Sequence, residues 1–89
     1  MNMQVTEAAP TALIVEDEPQ IRRFVRSALE EEGWIVHESV SMQRGLIDAG
    51  TRKPDLVVLD LGLPDGDGMD LLAQARSSSK PFPVLVLSA

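Results

Sequence analysis

At 89 residues, with a formal net charge of −6 and no cysteine, the chain has room for one small domain and none for a disulfide staple or thiolate chemistry. No apolar run approaches the ~20 residues of a membrane span, and no basic flank with an apolar core marks a signal peptide. The acidic balance speaks against direct nucleic-acid contact by this segment and reads as a cytoplasmic surface.

Residues 1–10 lack periodicity and read as a disordered leader, with the domain proper over 11–89. The first strand, Thr11-Ala12-Leu13-Ile14-Val15, is apolar and branched and breaks into Glu16-Asp17-Glu18-Pro19. Pro19 suits a first helical turn and Asp17 is placed to cap it. Ile21, Phe24, Val25, Ala28 and Leu29 then mark one apolar helix face, and Gly33 ends the helix after three glutamates. Residues 34–39 form a second strand, with the lone histidine, His37, as an ordinary strand residue. Ser41 caps a second helix with a thin face of Met42, Leu46 and Ile47; Gly45 and Gly50 predict that it is short and weak.

The most informative stretch follows. Leu56-Val57-Val58-Leu59-Asp60 is apolar at nearly every position, as in a strand buried on both faces of a parallel sheet, and ends in a carboxylate before a Gly/Pro-rich turn. Asp65 or Asp67 caps a third helix, with Met69, Leu72, Ala73 and Arg76 on one side and Leu71 beside them. Gly66 and Gly68 permit unusual turn dihedrals. Residues 83–89 form a fourth apolar strand. The order β-α-β-α-β-α-β predicts a doubly wound α/β parallel sheet with right-handed crossovers.

In such a sheet, neighbouring strand ends lie about 5 Å apart. Glu16 and Asp17 close the first strand and Asp60 the third. If these strands are adjacent, three carboxylates meet, and each pair repels by roughly 3 kcal/mol at an effective dielectric of about 20. Such a cluster needs a cation or takes up protons. Oxygen donors without His or Cys favour Mg²⁺ or Mn²⁺. A carboxylate beside such an ion is a potential nucleophile toward phosphoryl groups. The carbonyl of Gly62 is near enough in sequence to reach the same ion, and Ser88 at the end of the fourth strand lies on the same edge.

Three blocks, residues 13–18, 54–68 and 83–89, resemble the response-regulator receiver domain (the CheY-like, flavodoxin-like fold), closest to the Kdp-type branch of the OmpR/PhoB-like transcription factors. The resemblance implies a strand order of 2-1-3-4 and a chain that stops before a fifth strand. By it, Asp60 is the phosphoacceptor for a sensor histidine kinase, and Asp17, Glu16 and the Gly62 carbonyl hold Mg²⁺. Ser88 is the switch hydroxyl. The implied module is not an enzyme beyond Mg²⁺-dependent self-phosphorylation, and it regulates transcription through a DNA-binding domain outside these residues. The alternative is a non-signalling module that assembles through the exposed edge of strand four.

Overall fold

The computed structural model describes residues 8–87; most of the expected leader, together with Ser88 and Ala89, lies outside the described residues. Strands and helices alternate as β1 (Thr11–Val15), α1 (Pro19–Glu31), β2 (Ile35–Ser39), α2 (Met42–Arg52), β3 (Leu56–Asp60), α3 (Gly68–Ser77) and β4 (Val84–Leu87). The strands form one parallel sheet in the order β2-β1-β3-β4, as expected. Residue 10 already belongs to its hydrogen-bonding frame, because the Pro10 carbonyl accepts from the Ile35 amide at 2.9 Å.

The central strands β1 and β3 are apolar on both faces because both faces are covered. Side chains alternate across the sheet, so Leu13, Val15, Val57 and Leu59 face α2 and α3 with Met42, Ala49, Leu63, Leu71, Ala75 and Phe82. Ile14, Val36 and Val58 face the other way and are buried beneath Val25, Leu29, Trp34, Leu56 and Leu87, which are themselves only partly buried. The packing is therefore lopsided. No residue of α1 is fully buried, and of its expected apolar face Val25 and Leu29 are half-buried while Ile21 and Ala28 are exposed and Phe24 is 74% exposed.

The helix ends obey local chemistry. Glu18, not Asp17, caps α1: its carboxylate accepts from the Gln20 amide at 2.9 Å, with Pro19 in the first turn. Asp17 is thereby left outside the helix. At the far end Gly33 takes φ +90°, the Gly33 amide bonds the Glu30 carbonyl and the Trp34 amide bonds the Leu29 carbonyl. This paired closure needs a left-handed residue, which glycine adopts without steric cost.

Two helices depart from expectation. α2 is neither short nor interrupted: it runs 11 residues through both glycines, with the Ser41 hydroxyl accepting from the Arg44 amide at 3.1 Å. Tertiary packing overrides propensity here. A Cβ on Gly45 would stand 2.7 Å from a Val15 methyl, so the glycine lets the helix lie directly on β1. In α3 the inward residues are Gly68, Leu71 and Ala75, while Met69, Ala73 and Arg76 face outward. The bare Gly68 backbone docks against Leu61 and Leu59, which turns positions three and seven residues later inward. Neither Gly66 nor Gly68 takes a positive φ; each is small because something packs on it, Met42 in the case of Gly66.

At the amino-terminal edge of the sheet, Asp55 accepts from the Thr11 amide at 2.8 Å and from Lys80 Nζ at 3.0 Å, and Lys80 also donates to the Lys53 carbonyl. The Lys80 side chain is thus tied at the edge opposite the acids.

Candidate acidic site at the carboxyl edge of the sheet

Register builds the site. Val15 pairs with Leu59 across β1 and β3, so Glu16 and Asp60 emerge side by side, and Leu87 of β4 lies beside Asp60. Glu16, Asp17 and Asp60 each present an oxygen within 4.8 Å of the others. They line one open pocket with Glu18, Ile21, Gly62 and Leu87. Ser88 lies outside the described residues.

The three acids differ in setting. Glu16 is 2% exposed; its amide donates to the Ser39 carbonyl at 3.0 Å and its carboxylate accepts from the Glu18 amide at 3.3 Å. Burial pushes its carboxyl up from the usual range; the Glu18 amide opposes this, and the neighbouring Asp60 and Asp17 add to the rise. Asp17 is exposed and Asp60 half-buried. Asp60 Oδ1 accepts from the Gly62 amide at 2.9 Å, so the contact seen from Gly62 is its N–H.

This donor set suits a hard divalent cation. It offers carboxylate oxygens only, brought close enough to repel, and burial together with the neighbouring acids raises the pKa of one of them.

Several supporting residues carry no recognisable signal in sequence. Asp65 does not cap α3, which Asp67 does through the Met69 amide at 2.9 Å. Instead its two oxygens accept from the Met42 and Gln43 amides at 2.7 and 2.9 Å, pinning the turn after Asp60 to the start of α2. These amides hold the Asp65 carboxyl below its usual range. The Ser39 hydroxyl donates to buried Asp48 at 2.7 Å, and Arg44 pairs with the same carboxylate at 3.0 Å. Arg22 reaches back from α1 to the carbonyls of Glu16 and Asp17. A long side chain one turn into a helix leans toward the helix start, the only hint the sequence offered.

The sequence and the fold match known proteins. The family model described as the response regulator receiver domain matches residues 12–89. The KDP operon transcriptional regulatory protein KdpE of Escherichia coli (strain K12) is 60% identical over 77 residues, covering 86% of this chain and 34% of that protein. The probable transcriptional regulatory protein TcrX of Mycobacterium tuberculosis is 40% identical over 79 residues, covering 89% of this chain and 34% of that protein. The chain thus spans about a third of the length of these relatives. Among solved structures, the MaeR response regulator bound to beryllium trifluoride superposes with a TM-score of 0.79 at 30% identity, covering 90% of this chain and 67% of that one. A CheY-like receiver domain protein from Methanospirillum hungatei JF-1 gives 0.83 at 26% identity, covering 91% and 65%. Sheet order, sequence and superposition converge, and the chain belongs to the response regulator receiver domain family.

Proposed function

We propose that this domain is a phosphorylation switch whose acceptor is Asp60. The convergence of Glu16, Asp17 and Asp60 within 4.8 Å at the ends of two adjacent strands carries the reading. A phosphohistidine of a sensor kinase is the donor. An Asp60 oxygen forms the bond to phosphorus, the phosphorus–nitrogen bond of the donor breaks, and the imidazole leaves with its nitrogen free to take a proton. Oδ1 is held by the Gly62 amide, so Oδ2 is the freer oxygen for attack. Glu16, Asp17, Asp60 and the Gly62 carbonyl would hold Mg²⁺, or Mn²⁺ in its place. The bound ion would offset charge on the transferring oxygens. Ser88 is proposed as the hydroxyl that answers to phosphorylation. The domain turns over no substrate beyond self-phosphorylation from a small donor. It works in the cytoplasm and controls transcription through a DNA-binding region elsewhere in the protein, with no nucleic-acid or membrane contact of its own.

Incubation with acetyl phosphate and Mg²⁺, followed by intact mass, is expected to show one added phosphoryl group, absent from Asp60→Asn. A folded chain that binds Mn²⁺ yet gains no adduct would overturn the acceptor assignment.

A second reading rests on β4. Among the described residues it pairs with β3 alone, and it carries Leu85 at 56% and Val86 at 38% exposure. An unpaired apolar edge is a template for another strand. The 89-residue chain is expected to self-associate in sedimentation runs, and Val86→Lys to shift it toward monomer. A wild-type monomer at all concentrations would eliminate this reading.

A further inference from the structure

Arg22 stands next to three mutually repelling carboxylates, yet it pairs with none of them. Among the described residues its ion pair is with Glu38 of β2, through Nε at 2.6 Å. Its Nη1 donates instead to the main-chain carbonyls of Glu16 and Asp17, at 3.2 and 3.4 Å. The side chain is 19% exposed, and Arg26 holds the same Glu38 from one turn further along α1. Burial acts against ionised Glu38, but the hydrogen bonds from Arg26 and Arg22 outweigh it and hold the carboxyl below its usual range.

We infer that Arg22 is a positioning residue for the acid loop, an inference that rests on the cation and phosphoryl reading given above. The two carbonyls it grips belong to the residues that supply two of the three carboxylates. Holding the peptide planes holds the points from which those side chains spring. Glu38 takes up the guanidinium's charge, so the acids stay free for an ion. The planar fork can bond both carbonyls and Glu38 together, a geometry that a lysine ammonium cannot reproduce. The clamp joins three elements: the guanidinium comes from α1, the loop follows β1, and the counter-charge sits on β2.

The sign of one measurement separates this role from a simple charge effect. Were Arg22 only a nearby positive charge, removing it would strengthen cation binding. As a positioning group, its removal weakens binding although a repelling charge is gone. The experiment is a Mn²⁺ titration of the 89-residue chain, followed by the paramagnetic resonance of the free ion at constant ionic strength. Arg22→Met is expected to weaken Mn²⁺ binding about 10-fold, the scale of losing a group that orients a metal ligand. Arg22→Lys recovers only part of this. Arg26→Met, which loses the Glu38 pair but touches neither carbonyl, lowers the urea midpoint while leaving Mn²⁺ affinity close to wild type. In phosphorylation by acetyl phosphate, Arg22→Met raises the metal concentration for half-maximal rate and keeps the rate at saturating metal. Should Arg22→Met not fold, Arg22→Lys decides, because it keeps the positive charge: a simple charge effect leaves Mn²⁺ affinity at the wild-type value, whereas loss of the two-carbonyl grip weakens it. Unchanged or tighter Mn²⁺ binding in the folded variants overturns the inference. Absence of Mn²⁺ binding by wild type overturns the site reading instead.

Discussion

Truncating Leu71 to alanine is expected to lower stability by about 3 kcal/mol, within the usual range for deleting a fully buried leucine side chain. Against a total of about 4–12 kcal/mol for a domain of this size, that is a large fraction. The melting temperature should fall by roughly 12–24 °C, at about 4–8 °C per kcal/mol. Leu71 matters because α3 sends only Gly68, Leu71 and Ala75 fully into the core, and Leu71 is by far the largest of these. Met69→Ala, on the exposed face of the same helix, should change stability by no more than about 0.5 kcal/mol. Paired thermal and urea melts decide it. Equal losses, or a larger loss at Met69, would mean that the helix is turned differently about its axis.

Glu16→Gln should do two opposite things. Without a divalent cation, the variant should melt higher than wild type at pH 8. The folded state raises the Glu16 carboxyl, chiefly through burial and then through Asp60 and Asp17, so the fold holds its proton longer than the unfolded chain does. In that window the native state binds more protons, and wild-type stability falls as pH rises from the ordinary glutamate range through the raised value. Glutamine never ionises and still offers an oxygen to the Glu18 amide. The gap should therefore be open at pH 8 and closed near pH 4. With cation at about 100 times its Kd, wild type should gain about 2.7 kcal/mol while the variant gains far less. The order of melting temperatures then reverses. A variant less stable than wild type at pH 8 without metal would show that the buried carboxylate is better compensated than its surroundings indicate.

The strands and the acids were legible for the same reason. The run from Leu56 to Leu59 is apolar at every step, and a parallel strand covered on both faces needs nothing else. Once β1 and β3 neighbour each other, strand ends fix the position of Glu16 and Asp60 without any side-chain detail. What was not legible depends on choices made between elements. Asp17 and Glu18 are both adequate caps; the Glu18 carboxylate takes the Gln20 amide and closes the helix, while Asp17 presents an oxygen to Glu16 and Asp60 instead. The phase of α3 is set by how closely Gly68 can approach Leu59 and Leu61, which no periodicity of α3 itself encodes. Asp65 bonds amides more than 20 residues upstream, and Arg22 of α1 pairs with Glu38, 16 residues away on β2. Such partners become neighbours only after the sheet has formed.

The lopsided packing also has a bearing on time. Elements held by few fully buried contacts open more often than the molecule unfolds as a whole. In this chain α1 is such an element, since none of its residues is fully buried. Each brief detachment of α1 would carry Arg22 away from the carbonyls of Glu16 and Asp17 and loosen the loop they belong to. The residence time of an ion in the pocket would then be limited by the breathing of a helix that supplies none of the three carboxylates, and an occupied pocket would in turn keep that helix closed for longer.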